Sequence, residues 1–490
     1  MKSKNLIFEK VVNALIYFGI FTASLYVPLD PDLGWHLKYG EYFFENGRVL
    51  RDNLYTALMP SFQWNNSSWL TDLITYQTFN NLGFIGLSIL GALVITATFF
   101  FLGKAAKLNL FEKSIIFPII LYLVSPVNQV SFRGQLLSLL LLSILYYILS
   151  KYEKNKKIIL LLIPIFMVWG NLHGQYILGL GIFFIWFSVY LIKETYLNYK
   201  SGIKKLIVDN KFLLSSFVGS SLAILINPFG PGVYEEAFGH FDDPLQQSVT
   251  EFLAPADFSA VWWHLLFAGM ILTIGIALLG TGKKNLDKAP FYVPSLILFI
   301  FTFWIRRYAW TFYYSCVFLF QPVVKFLEPE NKKYSLWASA VISVLFLICT
   351  IYIKYPFTEL KNMNWNEYCK NSVGCSPTAV QTVIDNNLNN DKLLTIYDYG
   401  GYLIWNYPEI KPTIDGRMHL WRDEKGVSAF EYYFPIEQNT TKDIDSSAYN
   451  AVLTSHRKPI YGRLVELSEQ RKWKVLHVDK YSAVFVRINN

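Results

Sequence analysis

The run GFIGLSILGALVITATFFFLG at residues 83–103 decides the fold class, because it carries no charged side chain over its whole length. A helix needs about 20 apolar residues to cross the hydrocarbon core of a bilayer. The composition agrees with this run, since 53% of the 490 residues are hydrophobic and only 16% are charged. A typical soluble chain carries about 25% charged residues. The sequence therefore predicts a membrane protein and excludes a cytosolic enzyme, a coiled coil and a disordered regulator.

Ten further apolar runs predict that the chain is polytopic. The first run follows Lys2 and Lys4 and also resembles a signal peptide, but no small-residue cleavage pattern follows it, which favours a retained span. The prediction is an α-helical protein with about eleven membrane spans. They lie near residues 11–28, 83–103, 114–128, 135–150, 158–172, 176–192, 212–227, 261–279, 290–305, 309–327 and 335–353.

The formal net charge of +8 lies in the short loops between these runs, since the tail from residue 356 onward has as many acidic as basic residues. Lysine-rich loops alternate regularly with lysine-poor loops, as the positive-inside rule requires. We therefore expect a multi-pass protein of the cytoplasmic membrane, with a cytoplasmic N-terminus and an extracytoplasmic C-terminal region. The basic charge then reflects contact with membrane lipids, and nucleic acid is not an expected partner.

The tail has a soluble composition and predicts a small α/β domain at residues 356–490, after a membrane domain at residues 1–355. Ser376-Pro377 is typical of a helix start. Alternating segments predict strands at 393–397, 402–405, 451–454, 474–478 and 483–488, and the last two resemble a hairpin. Cys369 and Cys375 lie where a disulfide is permitted, and no cysteine or histidine pair has zinc spacing.

The predicted first outer loop, residues 29–82, opens with Asp30-Pro31-Asp32-Leu33-Gly34-Trp35-His36-Leu37. Two carboxylates at the end of a membrane span are costly unless they have partners, a metal ion or a wet cavity. Either one fits a general base or a ligand of a divalent cation such as Mg²⁺ or Mn²⁺. The structural alternative is a turn in which the aspartates cap a helix that begins near Gly34.

Trp69 and the amphipathic stretch Leu73 to Phe79 follow in the same loop. Tryptophan and tyrosine in this position favour a helix that lies in the membrane interface, and such helices commonly line a lipid-access groove. A simple aromatic belt explains the pattern equally well.

Arginines on the predicted outer face oppose the positive-inside trend and therefore call for anionic partners. Arg133, Arg306 and Arg307 fit a phosphate through charge-assisted, forked hydrogen bonds. Ion pairs with Asp30, Asp32 or Glu251 are the structural alternative. Asn171 and His173 fit either polar cavity residues or residues of a turn.

Two motifs of the tail contain glycine beside charged residues, namely residues 398–403 (DYGGYL) and 414–417 (IDGR). The glycines fit tight strand turns, and Asp415 and Arg417 are placed to pair locally. This structural interpretation is favoured, and contact with an acceptor or a glycan is the alternative.

These residues together resemble the GT-C superfamily of polytopic membrane glycosyltransferases, in particular its uncharacterised bacterial and archaeal members. The resemblance covers most of the chain. It is carried by the motifs around Asp30 to Leu37, Trp64 to Leu70, Arg133 to Gln135, Trp169 to Gly174, Asn227 to Gly230, Asp398 to Leu403 and Ile414 to Arg417.

The resemblance implies a catalytic first outer loop, an interfacial helix and a polyprenyl-phosphate-linked sugar as donor. Asp32 matches the position of the family's general base best, and Asp30 becomes its partner or a metal ligand. Leu33 replaces the second acidic residue of the family's Asp-Glu form, which leaves a divalent cation open. The reaction implied is inverting transfer of a hexose or pentose to a lipid, glycan or protein acceptor. The side chains expected to line the substrate cavity are Trp35, His36, Trp69, Asn171, His173 and Glu251.

Two other classes of function remain open. A transporter or flippase for lipid-linked sugars would use the same cavity, but it predicts charged residues within spans and paired broken helices, and the sequence has neither. A non-catalytic assembly protein for envelope glycans would use the tail as an interaction module and would tolerate the loss of Asp30 and Asp32.

Overall fold

The structure is a computed structural model that describes residues 2–128, 131–197, 208–242, 259–279, 287–305, 308–354, 356–390 and 392–488. It is mostly helical and contains one small sheet. The helices are α1 (Lys2–Ala23), α2 (Leu33–Asn46), α3 (Trp69–Ala105), α4 (Leu110–Asn128), α5 (Gly134–Leu149), α6 (Leu162–Leu172), α7 (Tyr176–Leu197), α8 (Lys211–Ala223), α9 (Gly232–Asp242), α10 (Ser259–Leu279), α11 (Ala289–Thr302), α12 (Ala309–Ser315), α13 (Val317–Phe326), α14 (Lys332–Lys354), α15 (Pro356–Asn362), α16 (Trp365–Tyr368), α17 (Pro377–Asp385), α18 (Gly400–Asn406), α19 (Ala429–Glu437) and α20 (Pro459–Glu469). The strands are β1 (Leu393–Thr395), β2 (Ala451–Ser455), β3 (Trp473–Val478) and β4 (Ser482–Arg487).

The chain divides into two compact units. Unit 1 comprises Met1–Tyr26, Ser88–Pro231 and Gln247–Thr358. Unit 2 comprises Val27–Leu87, Gly232–Gln246 and Glu359–Asn490. The predicted first outer loop and the tail are thus grouped in one compact unit.

Some of the described helices could span a membrane. Four helices are long and apolar enough to cross a bilayer: Leu6–Ala23, Trp69–Ala105, Tyr176–Leu197 and Lys332–Ile353. Each of the eleven apolar runs in the sequence coincides with helical structure, but several of these helices are short, because they break at residues such as Cys316. The total of eleven spans and their orientation stay predictions.

Unit 1 is built from apolar helices that pack side by side. Helix α1 packs against α4 and α14, α6 against α8, α7 against α11, and α10 against α13. Large apolar side chains fill the contacts, and Phe99, Phe117 and Leu145 are fully buried. Many hydroxyls bond to a carbonyl of their own helix, as Thr98 does to Val94 at 2.9 Å. This pattern satisfies polar groups without partners from elsewhere in the chain.

Unit 2 holds the sheet, whose strand order is β1-β2-β4-β3. Strands β1 and β2 are parallel, with Leu394 opposite Val452, whereas β2–β4 and β3–β4 are antiparallel. All residues of β1 and β2 are buried. Helix α20 packs on β2 and β3, and α17 packs on β2, β3 and β4. The short helix α18 packs along α2, which joins the first loop to the tail within this unit.

Most predictions for the tail are confirmed. Helix α17 begins at Pro377, and the Ser376 hydroxyl caps it by accepting a hydrogen bond from the backbone N–H of Ala379 at 3.3 Å. Four of the five predicted strands are present, and β3 and β4 form the hairpin. Cys369 and Cys375 form the disulfide, with their Cα atoms 5.0 Å apart.

The strand predicted at residues 402–405 is wrong, because this segment lies in helix α18. Tyr402, Leu403 and Ile404 are all buried, so neighbouring side chains do not alternate between core and solvent as a half-buried strand would require. The interpretation of Gly400 and Gly401 as strand-turn residues is wrong for the same reason. They lie at the start of the helix, where a Cβ atom on Gly401 would lie 3.3 Å from the Cα atom of Asp32 and would overlap the Pro31 carbonyl.

Helix α3 breaks at Gly83, whose φ of 60° and ψ of −152° are not helical. The break separates the amphipathic segment Leu73 to Phe79 from the apolar run at residues 83–103. A residue with a Cβ atom is strained at such a φ, so glycine explains where the break occurs. The interfacial position of the first segment stays a prediction.

Candidate active site

The aspartate pair lies at the start of α2, in unit 2. Asp32 occupies the N-cap position, but its side chain makes no capping hydrogen bond. The side chain of Asp30 is buried, and its Oδ1 accepts a hydrogen bond from the backbone N–H of Asp32 at 3.1 Å. The hydroxyl of Tyr368 donates to the backbone carbonyl of Asp30. The helix-capping alternative for Asp32 is therefore not what the structure contains.

The carboxyl group of Asp32 lies directly against Gly416 of the tail. A Cβ atom on Gly416 would lie 2.8 Å from the Asp32 carboxyl carbon and closer still to Oδ1. Real Cβ atoms do not approach other atoms so closely, so a side chain here would displace the carboxyl group. Glycine at position 416 therefore leaves room for the Asp32 carboxyl group.

Asp415 and Arg417 form a fully buried ion pair on either side of this glycine. The Arg417 Nε donates to Oδ1 of Asp415 at 2.9 Å, and the guanidinium also donates to the hydroxyl of Tyr39 at 2.5 Å. Burial disfavours the charge on Arg417, but Asp415 and Tyr39 outweigh this effect, and the pKa of the guanidinium is raised. The local pairing predicted from the sequence is confirmed, and its environment is more deeply buried than that of a surface turn.

Aromatic rings surround this ion pair. The Trp35 and Trp64 rings lie 5.7 Å apart and edge-on, and the Arg417 guanidinium lies 5.2 Å from the centre of the Trp421 ring. Among the described residues, the buried indole N–H groups of Trp35 and Trp421 have no hydrogen-bond partner. The aromatic cluster consists of Trp35, Tyr39, Phe62, Trp64 and Trp421.

Glu236, on helix α9, adds a further acidic group to the aromatic cluster. The indole N–H of Trp64 donates to its Oε1 at 3.1 Å. Burial raises the pKa of Glu236 to about 8. A carboxyl group with this pKa is mostly protonated at neutral pH and donates a hydrogen bond as well as accepting one.

His36 lies one helical turn after Asp32 and is held by a buried carboxylate. Its Nδ1 lies 2.5 Å from Oδ1 of Asp72, and the amide of Asn66 donates to Oδ2 of Asp72 at 2.7 Å. The Trp35 ring stacks on the imidazole with the ring centres 3.6 Å apart. Both oxygens of Asp72 are therefore occupied, and the imidazole is fixed in one orientation.

The structure brings part of the predicted site together. Asp30, Asp32, Trp35, His36 and Trp69 belong to unit 2, where Trp69 begins α3 and packs against the Phe43 ring at 5.9 Å.

Three other predicted residues belong to unit 1. Arg133 is the N-cap residue of α5, and the Asn171 amide donates to the carbonyl of Ile226 at 2.9 Å. Nδ1 of His173 lies 2.9 Å from the Ser138 hydroxyl. Glu251, Arg306 and Arg307 lie outside the described residues.

Sequence reasoning missed five residues of the site: Tyr39, Asn66, Asp72, Glu236 and Arg417 as a buried group. Asp72 carried a detectable signal, because a carboxylate just before a long apolar run is costly and needs a partner. Glu236 lies more than 160 residues from Trp64, and nothing local in the sequence links the two.

A divalent cation at Asp30 and Asp32 requires further ligands. Within the described ranges, no group of three or more histidine, cysteine, aspartate or glutamate side chains is arranged to hold a metal ion. Mg²⁺ usually keeps several waters and is bound through only one or two carboxylates and the phosphates of a substrate. A cation held by Asp30 and Asp32 therefore stays a prediction, and no step of the mechanism below involves one.

Comparison with known proteins gives no relative from which a role can be transferred. No model of a protein family matches the chain, and no curated protein matches it. The resemblance in motifs therefore stays a prediction, and the function has to be argued from the side chains of the site.

Proposed function

We propose that the protein is a membrane glycosyltransferase that moves a sugar from a polyprenyl-phosphate-linked donor to an acceptor at the outer face of the cytoplasmic membrane. The observation that carries this proposal is the Asp32 carboxyl group, which lies against Gly416 beside the aromatic cluster and does not cap its helix. The apolar helices support a lipid-linked substrate. The proposed topology has eleven spans with the N-terminus in the cytoplasm.

In the proposed mechanism, Asp32 is the general base. It removes the proton from the acceptor hydroxyl or amine as that group attacks the anomeric carbon of the donor. The bond from this carbon to the phosphate oxygen breaks on the opposite face, so the configuration inverts. The electron pair leaves with the lipid phosphate.

Other residues have proposed roles in binding. The buried indole N–H groups of Trp35 and Trp421 have no hydrogen-bond partner among the described residues and are the proposed donors to the sugar hydroxyls. Arg417 is occupied by Asp415 and Tyr39 and is not assigned to the phosphate. A role for Arg133, Arg306 or Arg307 with the departing phosphate stays a prediction from the sequence.

The test is donor consumption by the purified full-length protein in lipid. Polyprenyl-phosphate sugars are supplied as a panel with a mixed acceptor extract, with and without EDTA. The parent is expected to release polyprenyl phosphate, and Asp32→Asn is expected to lose about 10²-fold or more of this rate, as removal of a general base does. Asp30→Asn measures the contribution of its partner.

The matched control is Asp385→Asn, which removes an exposed carboxylate bonded to Gln381 at 2.8 Å in helix α17. It is expected to be as active as the parent. Full activity of Asp32→Asn would refute the assignment of the base. No donor consumption across the panel would favour the transporter or the assembly protein instead, and loss of activity in EDTA would show a cation that the described residues do not explain.

A further inference from the structure

The strongest unassigned chemistry is the contact between His36 and Asp72. When Asp72 is ionised it only accepts hydrogen bonds, so Nδ1 of His36 then carries the hydrogen in this 2.5 Å contact. Nε2 has no hydrogen-bond partner among the described residues, and the side chain keeps 11% of its surface exposed. A histidine held in this way has one nitrogen fixed by the carboxylate and the other free to exchange a proton with a substrate.

The position of His36 relative to Asp32 is set by helix α2. The backbone N–H of His36 bonds to the carbonyl of Asp32 at 3.3 Å, which is the i to i+4 contact of an α-helix. Side chains with this spacing lie on the same face, with Cβ atoms about 5–6 Å apart. Asp32 and His36 are therefore close enough on one helix face to act on the same substrate.

We propose that His36 is the general acid of the reaction and that Asp72 is its positioning residue. This inference rests on the proposed function. As the bond between the anomeric carbon and the phosphate oxygen breaks, that oxygen takes the electron pair and receives the proton from Nε2 of His36. Asp32 receives the proton of the acceptor. Water then returns a proton to His36 and removes one from Asp32, so both groups are reset.

Several charged or titratable groups surround His36. Asp72 on α3 faces it directly, Asp32 lies one turn before it on α2, and Tyr39 lies on the next turn. The tail adds the charges of Asp415 and Arg417, and the Arg417 guanidinium donates to Tyr39. Helix α9 adds the carboxyl group of Glu236, which accepts a hydrogen bond from Trp64. Glu236 is expected to titrate near neutral pH, since burial raises its pKa to about 8. A pH experiment must therefore separate His36 from Glu236.

The test measures kcat and the donor KM of the full-length protein in lipid between pH 5 and 9. The parent is expected to lose kcat as the pH rises, because the acid must carry its proton. His36→Gln is expected to lower kcat by about 10²-fold, to remove this decline and to leave the donor KM nearly unchanged. Asp72→Asn is expected to lower kcat similarly while keeping the contact between the two side chains, because an amide favours the wrong tautomer.

Two further variants make the result specific. His477→Gln removes a histidine of another pair, whose Nε2 lies 2.9 Å from Oδ2 of Asp479, and it is expected to keep both the rate and the pH profile. Glu236→Gln is expected to keep the decline at high pH. Unfolding temperatures of all variants verify that they are folded.

The possible outcomes separate this inference from the proposed function. If the parent consumes donor and His36→Gln keeps most of the kcat, or if Glu236→Gln alone removes the decline, the general-acid role is refuted and the transferase stands. If Asp72→Asn matches the parent, the positioning role is refuted. If the parent consumes no donor, the proposed function fails and this inference fails with it.

Discussion

Unit 1 and unit 2 differ in where many of their buried polar groups find partners. In unit 1 many buried hydroxyls bond to a carbonyl one turn earlier in the same helix, as Ser343 does to Ser339 at 2.6 Å. In unit 2 the decisive contacts join distant segments: Tyr39 and Arg417 are 378 residues apart, and Asp30 and Tyr368 are 338 apart. Every buried polar atom needs a partner. Many hydroxyls of unit 1 find it within their own helix, whereas the polar groups of the candidate site in unit 2 find it in distant segments.

This difference determines which part of the chain has to assemble as a whole. A hydroxyl that bonds within its own helix is satisfied as soon as the helix forms, whatever packs around it. The Arg417 guanidinium pairs with Asp415 within the tail, but its bond to Tyr39 forms only when the loop at 27–87 and the tail at 359–490 meet. The tail is therefore part of the candidate site, since it supplies Gly416 against Asp32 and the ion pair beside it.

The largest effect is expected from breaking the buried ion pair. Arg417→Met leaves Asp415 buried without its partner, and loss of one member of such a pair costs about 3–5 kcal/mol. The free energy of unfolding of the full chain in detergent, measured by denaturant titration, is expected to fall by this amount.

Arg463→Met is the matched control. Arg463 pairs with Asp443 at 2.6 Å, but 23% of its side chain is exposed, and such pairs contribute about 1 kcal/mol or less. Equal losses in the two variants would contradict the contrast between buried and superficial charges on which the comparison depends.

The next largest effect is expected at Gly416. Gly416→Ala places a methyl group where the Asp32 carboxyl lies, and overpacking of this kind costs about 1–3 kcal/mol. We also expect slower donor consumption, because Asp32 has to move. Denaturant titration and the donor assay measure both effects.

Gly219→Ala in unit 1 is the control for Gly416→Ala. There the new methyl group lies 2.8 Å from the Cδ1 atom at the end of the flexible Ile163 side chain, which can rotate away, and alanine favours the helix. We expect a change of less than about 1 kcal/mol. A loss as large as that of Gly416→Ala would remove the distinction between the two sites.

Local signals explain what could be predicted from the sequence. The cap at Ser376, the hairpin of β3 and β4 and the Asp415–Arg417 pair all depend on residues that are close in the chain. The aspartates and His36 were candidates because they lie together in one short segment that follows a predicted span.

Long-range contacts explain what could not be predicted. Residues 402–405 form a helix because they pack along α2, more than 350 residues earlier, and this contact has no local signature. Asp72 holds His36 across 36 residues, and Arg417 reaches Tyr39 from the tail. The candidate catalytic residues of the first loop were predictable from the sequence, whereas the side chains that orient them were not.

The cysteines extend the comparison. Cys369 and Cys375 of unit 2 are joined, whereas Cys316 and Cys349 of unit 1 are free thiols. If the tail is extracytoplasmic, peptide mapping of protein alkylated in intact cells should show the first pair linked. Replacement of both by serine should lower the free energy of unfolding by about 2 kcal/mol, the value for a loop of this size. Alkylation of Cys369 and Cys375 in cells would contradict the predicted topology. Cys349→Ser, which removes a free thiol, is the control for the cysteine replacement.

The smallest effect is expected in unit 1, from the loss of a hydroxyl that bonds within its own helix. Ser343→Ala removes a hydroxyl that donates to the Ser339 carbonyl, and this carbonyl keeps its place in the helix. Because alanine is also the better helix former, the free energy of unfolding should change by less than about 0.5 kcal/mol. Asn66→Ala in unit 2 instead removes a donor that the buried Asp72 cannot replace locally, and we expect a loss of about 1–3 kcal/mol. Both variants are measured by denaturant titration. If they cost the same, the origin of a partner, local or distant, does not determine how much a buried polar group stabilises this protein.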